Sequence, residues 1–101
     1  MPKRRRPSTD VTSGGERPAA MRVDRWLFCA RVTKTRSEAA RLVESGAVRI
    51  NRVKVRKPAA PVHVGDVITL VRHERVRVVR ILALSDRRVS SRLASKLLED
   101  L

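Results

Sequence analysis

Apolar positions first repeat at helical spacing from Met21 onward. Val23, Leu27 and Ala30 fall on one face, and Asp24 stands at the amino-terminal end, where a carboxylate favours the helix dipole. The pattern predicts a short helix over residues 24–31. A second helix starts at Thr35: Thr35 and Glu38 stand three apart as a capping box, Ala39, Leu42 and Val43 form the buried stripe, and Gly46 supplies the left-handed stop. After Gly46 the period falls to two. Val48 and Ile50 alternate with Arg49, and Val53 and Val55 with Lys54, about a turn at Asn51-Arg52, so this segment is expected to be a hairpin. Pro58 and Pro61 break the chain, and Gly65-Asp66 marks another turn. Residues 67–71 and 75–84 then read as strands joined near His73-Glu74. Ser90 or Ser91 is placed to cap a last helix in which Leu93, Ala94, Leu97, Leu98 and Leu101 recur at three and four. Its stripe either packs back on the domain or offers a partner surface. The expected fold class is α+β: a helix pair packed on a small, curved, mainly antiparallel sheet, with a carboxy-terminal helix.

Composition sharpens this picture. A chain of 101 residues makes one small domain, and with only 2% aromatic residues its core must be filled by Val, Leu, Ile and Ala. Residues 1–20 hold Pro2, Pro7, Pro18 and Gly14-Gly15 with little to bury, and are expected to form a disordered basic tail. The expected organisation is therefore that tail, a folded domain over 21–84 and a helical extension over 85–101. No apolar run approaches the roughly 18 residues of a membrane span, and Lys3-Arg4-Arg5-Arg6 is not followed by the apolar stretch of a secretory signal. A cytoplasmic protein is expected.

The net charge of +14 narrows the partners. The tail contributes five basic and two acidic residues, which leaves +11 on the remainder. A compact state so charged repels itself unless the charge serves a polyanion such as nucleic acid. Arginine supplies 19 of the 24 basic residues, and its planar fork suits bidentate phosphate contacts and stacking on bases. Cys29 is the only cysteine, so no internal disulfide forms; with only His63 and His73 beside it, no zinc site and no metal or other cofactor is expected.

The ordered series Arg22-Val23-Asp24, Leu27, Lys34-Thr35-Arg36, Ala39, Leu42-Val43, Gly46, Val48, Asn51, Val62 and Gly65-Asp66 resembles the αL motif. This RNA-binding domain is named after the fourth protein of the small ribosomal subunit. Within that group, Arg22 to Leu27 with Ala30-Arg31, Lys34-Thr35-Arg36 and the basic carboxy-terminal part most resemble the ribosome-associated heat-shock protein 15 family. One departure lies at the hairpin, where the family usually has Asn-Gly and this chain has Asn51-Arg52. A type I′ turn needs positive φ at both central residues, which arginine tolerates poorly, so the expected turn is longer or of another type.

The resemblance implies an RNA-contact surface at Arg22, Lys34, Arg36 and Asn51, and Thr35, between two of them, is counted with the RNA-binding residues. Helix geometry and charge add Arg25, Arg41 and Arg52, because one side of the helix pair should be basic and accessible. For Arg41, a plain solvated surface residue is an equal alternative. Asp24 has no second acid, base or nucleophile at a useful spacing, so its expected role is to stabilise the helix start or orient Arg22. Trp26 is expected in the core, Cys29 as a small buried residue, and Phe28 packed under the carboxy-terminal helix in preference to stacking on a base. Arg87-Arg88 either extends the RNA surface or binds the end of a helix.

By resemblance, the protein binds structured ribosomal RNA without catalysis, on free large ribosomal subunits that still carry a nascent chain on tRNA. The partners so implied are ribosomal RNA, the large subunit and the tRNA of a stalled peptidyl-tRNA, with no membrane and with a monomer when free. Two rivals stand beside it. A targeting module cut from an RNA-modifying enzyme is one, although nothing large enough for a catalytic fold or a glycine-rich cofactor loop is present. A general nucleoid or DNA-binding factor is the other, supported by charge but by no helix-turn-helix pattern.

Overall fold

The computed structural model describes residues 19–101, so most of the expected tail lies outside the described residues; Ala19 and Ala20 are exposed. The elements follow as β1 (Met21–Arg22), α1 (Val23–Cys29), α2 (Arg36–Glu44), β2 (Val48–Ile50) and β3 (Val53–Val55). Then come β4 (Pro61–Val62), β5 (Val67–Arg72), β6 (Arg75–Ile81), α3 (Ser91–Ala94) and β7 (Leu98–Asp100). Five strands pair antiparallel in the order β3-β2-β5-β6-β7, and β1 pairs separately with β4. None of the described helices is long and apolar enough to cross a membrane.

The core is aliphatic, as the composition requires, around one aromatic residue. Register places Val48 opposite Leu70, Ile68 opposite Val79 and Ile81 opposite Leu98, and all six are buried under the helices. Val23, Leu27 and Ala30 of the first helical stripe join them, and so does Trp26, whose ring N–H donates to the Ala83 carbonyl at 3.1 Å. That bond satisfies the one polar atom of a wholly buried side chain. Leu42 of the second stripe is only half-buried, while Ala39 and Val43 are buried.

Local chemistry sets the helix ends. The Glu38 backbone N–H donates to Thr35 Oγ1 at 3.0 Å, which satisfies an orphan amide at the start of α2. The reciprocal half of the box is displaced by one residue: Glu38 Oε1 accepts from the Lys34 backbone N–H at 2.9 Å. Gly46, at φ +82, stops the helix, and a Cβ there would stand 3.2 Å from the Arg56 guanidinium.

Three expectations are corrected. The Asn51-Arg52 turn is neither longer nor of another type: Ile50 pairs directly with Val53, and both central residues have positive φ, 52° and 74°. Strand twist selects the primed turn, and Arg52 accepts the strain because the flanking pairs and Asn51 hold it there. Asn51 donates Nδ2–H to Asp66 Oδ1 at 3.0 Å and accepts from the Val67 N–H at 2.9 Å. His73-Glu74 repeats the solution between β5 and β6, with φ of 50° and 64° and no glycine.

The predicted terminal helix is a single turn, Ser91–Ala94, with Ser90 at its cap position but no side-chain cap bond. Leu98 lies in β7 instead, because the edge of β6 offers unpaired backbone and two well-placed arginines. Arg80 pairs with Glu99 at 3.3 Å and Arg77 with Asp100 at 2.9 Å. The strand predicted to reach Leu84 ends at Ile81, where the N–H groups of Leu82 and Ala83 turn to the Leu97 carbonyl. Such edge pairing overrides the helical period of the leucines.

Candidate nucleic-acid interface

At the junction of α1 and α2 a buried carboxylate organises two arginines. The Asp24 side chain is 4% exposed, yet Arg22 grips it with both arms of its fork, Nε to Oδ1 and Nη2 to Oδ2, each at 3.0 Å. Arg36, the first residue of α2, brings Nη2 to 3.5 Å from the same Oδ2. Asp24 is thus compensated from β1 and from α2, as a buried charge must be. The two guanidiniums remain half exposed, at 51% and 48%, so their remaining N–H groups face solvent. Hydrogen bonding to Asp24 raises Arg22 further above its ordinary range, which keeps it cationic at any accessible pH. Asp24 therefore does orient Arg22, as expected from its position, and orients Arg36 as well.

The other expected contact residues divide. Lys34 and Thr35 are exposed in the connection beside Arg36, although the Thr35 hydroxyl is engaged in capping. Arg25 lies on the same side, close enough to Cys29 for its charge, with that of Arg36, to oppose the upward push that burial gives the thiol. Its guanidinium is partly occupied, donating to the Asp86 carbonyl at 2.6 Å. Arg41 is exposed and makes no side-chain bond to another described residue. Asn51 is exposed but commits its amide to Asp66 and Val67, so its structural part is to fix the hairpin tip that presents Arg52.

Two arginines belong to the scaffold of this face. Arg72, at the end of β5, donates Nη1–H to the Val32 carbonyl at 3.0 Å and pairs through Nη2 with Glu38, so the sheet grips the start of α2. Nothing local in the sequence signals this, because Glu38 is 34 residues away. Arg88 donates to the carbonyls of Phe28 and Thr33, both at 3.2 Å, and so binds the end of α1, one of the two roles its position allowed. Its guanidinium also covers the Phe28 ring.

Known proteins share this sequence pattern and fold. The S4 domain model matches residues 21–68. The chain is 38% identical over 85 residues to the heat shock protein 15 homolog of Aeromonas salmonicida, covering 84% of this chain and 64% of that protein. Against the homolog of Haemophilus influenzae it is 40% identical over 68 residues, covering 67% of this chain and 51% of that one. The chain thus spans between about half and two thirds of the length of these curated relatives. Among solved structures, the trimeric structure of Vibrio cholerae heat shock protein 15 superposes with a TM-score of 0.76 and 35% identity, covering 82% of this chain and 83% of that one. The matched domain, these identities and this superposition together place the chain in the heat shock protein 15 family.

Proposed function

We propose that this chain is a noncatalytic RNA-binding protein whose α1–α2 face holds structured ribosomal RNA. In the fuller form of the proposal, its site of action is a free large ribosomal subunit carrying a stalled nascent chain on tRNA, and its effect is rescue or recycling of that subunit in the cytoplasm. The observation that carries the reading is the pair Arg22 and Arg36, fixed half-exposed on the buried Asp24 carboxylate beside Lys34. Arginines held in this way present fork geometry suited to phosphate, and fixed donors lose little freedom on binding. The surplus of +14 and membership of the family support the same partner.

Sucrose-gradient sedimentation of extracts from cells in which translation has been stalled tests the proposal. The protein should travel with large subunits in preference to the soluble pool. Competition at one salt concentration with ribosomal RNA fragments, duplex DNA and unstructured RNA should favour the first. Recovery with DNA alone would replace this reading with a nucleoid role. Sedimentation of the purified chain should give a single copy, where the Vibrio cholerae relative was solved as a trimer.

A further inference from the structure

Beside the turn between β5 and β6, outside the residues expected to contact RNA, Leu70, Arg72, His73, Arg75, Val76 and Arg77 line an open cavity of about 490 Å³. Leu70, Arg72, Arg75 and Arg77 share one face of the β5–β6 pair, so the cavity's walls combine a buried leucine with the apolar stems of arginines. Two of its arginines are held by their edges. Arg72 is tied to the Val32 carbonyl and Glu38, while Arg77 sets Nε at 2.9 Å and Nη2 at 3.4 Å against the two oxygens of Asp100. Both stay partly exposed, at 30% and 45%.

A guanidinium pinned along its edge keeps its flat faces for other contacts, and such faces stack on unpaired bases. Glu38 and Asp100 balance the charges of Arg72 and Arg77, and Glu74 adjoins Arg75, so the cavity is a poor trap for bare phosphate. Its chemistry suits something planar and weakly polar. Its place is also informative. Glu38, which holds Arg72, accepts from the Lys34 N–H as well, so one carboxylate joins the cavity to the α1–α2 face.

We infer that this cavity takes an unpaired base of an RNA whose backbone lies on the α1–α2 face, stacking it against Arg77 and Arg72 beside Leu70, the three side chains that share one face of the β5–β6 pair. The inference rests on the RNA-binding reading above.

The test titrates the full chain with one hairpin RNA in two forms, blunt and carrying a short unpaired overhang, at a single salt concentration. The overhang form should bind roughly tenfold more tightly, the usual scale of one stacked base. Arg77→Lys keeps the charge and removes the plane; it should bring the two forms level without weakening the blunt one. An overhang whose nucleotides lack their bases should bind the unaltered chain no better than the blunt form does, a measurement that serves should Arg77→Lys disturb β7, which circular dichroism would reveal. Equal binding of both forms by the unaltered chain, with Arg36→Ala weakening both, would overturn the cavity and leave the α1–α2 reading standing. A preference that survives in folded Arg77→Lys, or that survives removal of the unpaired bases, would overturn it too. If Arg36→Ala changes neither affinity, the α1–α2 reading falls and the inference built on it falls with it.

Discussion

The guanidinium of Arg88 lies over the Phe28 ring, 4.8 Å from its centroid, while its N–H groups bond the carbonyls of Phe28 and Thr33. One side chain from the segment before α3 therefore seals the end of α1 and shields an aromatic residue from solvent. Arg88→Ala should destabilise the fold by about 2 kcal/mol, from a cation–π contact and two charge-assisted bonds discounted for partial exposure. Arg88→Lys should recover less than half, since a lysine has no planar fork to reach both carbonyls. Urea unfolding measures both, and a loss under about 0.5 kcal/mol for the alanine variant would mean the contact is incidental.

Arg36→Ala should leave the chain folded, since Arg22 still grips the buried Asp24 with both arms of its fork, and weaken binding to a ribosomal RNA fragment by about 1–3 kcal/mol, with the salt dependence shallower by a little under one unit. The control must lie elsewhere and carry no structural bond. Arg72 is unsuitable despite its place outside the matched motif, because its loss would leave Glu38 and the start of α2 without their anchor. Arg92, exposed on α3, serves instead. Equal slopes and affinities for the two variants would show that general basicity holds the RNA.

Arg52→Gly should stabilise the protein by about 0.5–1 kcal/mol. Position 52 has φ of 74°, where a side chain is strained and glycine is not, and the gain is reduced by the greater freedom glycine gives the unfolded chain. RNA binding should weaken in the same variant if the tip contacts phosphate. Denaturation midpoints and a salt titration on one preparation separate the two effects.

Cys29 is 2% exposed, and burial pushes its thiol up, partly opposed by Arg25 and Arg36 and reinforced by Asp86. A folded value above the unfolded one gives stability that is complete below the ordinary thiol range, near pH 8.5, and is lost as pH rises through the folded value. The unaltered chain should therefore lose more stability than Cys29→Ala between about pH 8 and 10. Alkylation by iodoacetamide at about pH 8 should be much slower in the folded chain than in urea. Equal alkylation rates would place the thiol in solvent.

The parts legible in the sequence are those written over short distances. Thr35 and Glu38 announce the start of α2 within one turn, and the alternation at 48–55 announces a hairpin. Turn type escaped because it is imposed by the twist of paired strands, against the preference of Arg52 itself. The leucines at 97, 98 and 101 fit a helical period equally well, and only the distant edge of β6 decides for a strand. In the site, Arg22 and Asp24 are neighbours whose bond could be anticipated, whereas Arg36 reaches the same carboxylate only after α1 and α2 pack. Arg72 and Arg88 act on partners 34 to 60 residues away, beyond any local pattern.

The bond from Arg72 to Glu38, with the second oxygen of Glu38 on the Lys34 amide, welds the sheet to the connection between the helices. Asp24 then bolts α1 to α2 from the other side. A face braced at both ends behaves as a rigid template, so on the reading proposed above the adjustment on docking falls to the RNA. Shape and pliancy are then selected as much as charge. A bulge or junction that bends easily onto the face will be held better than a stiff duplex of the same phosphate count, and discrimination between RNAs will track the work of bending them.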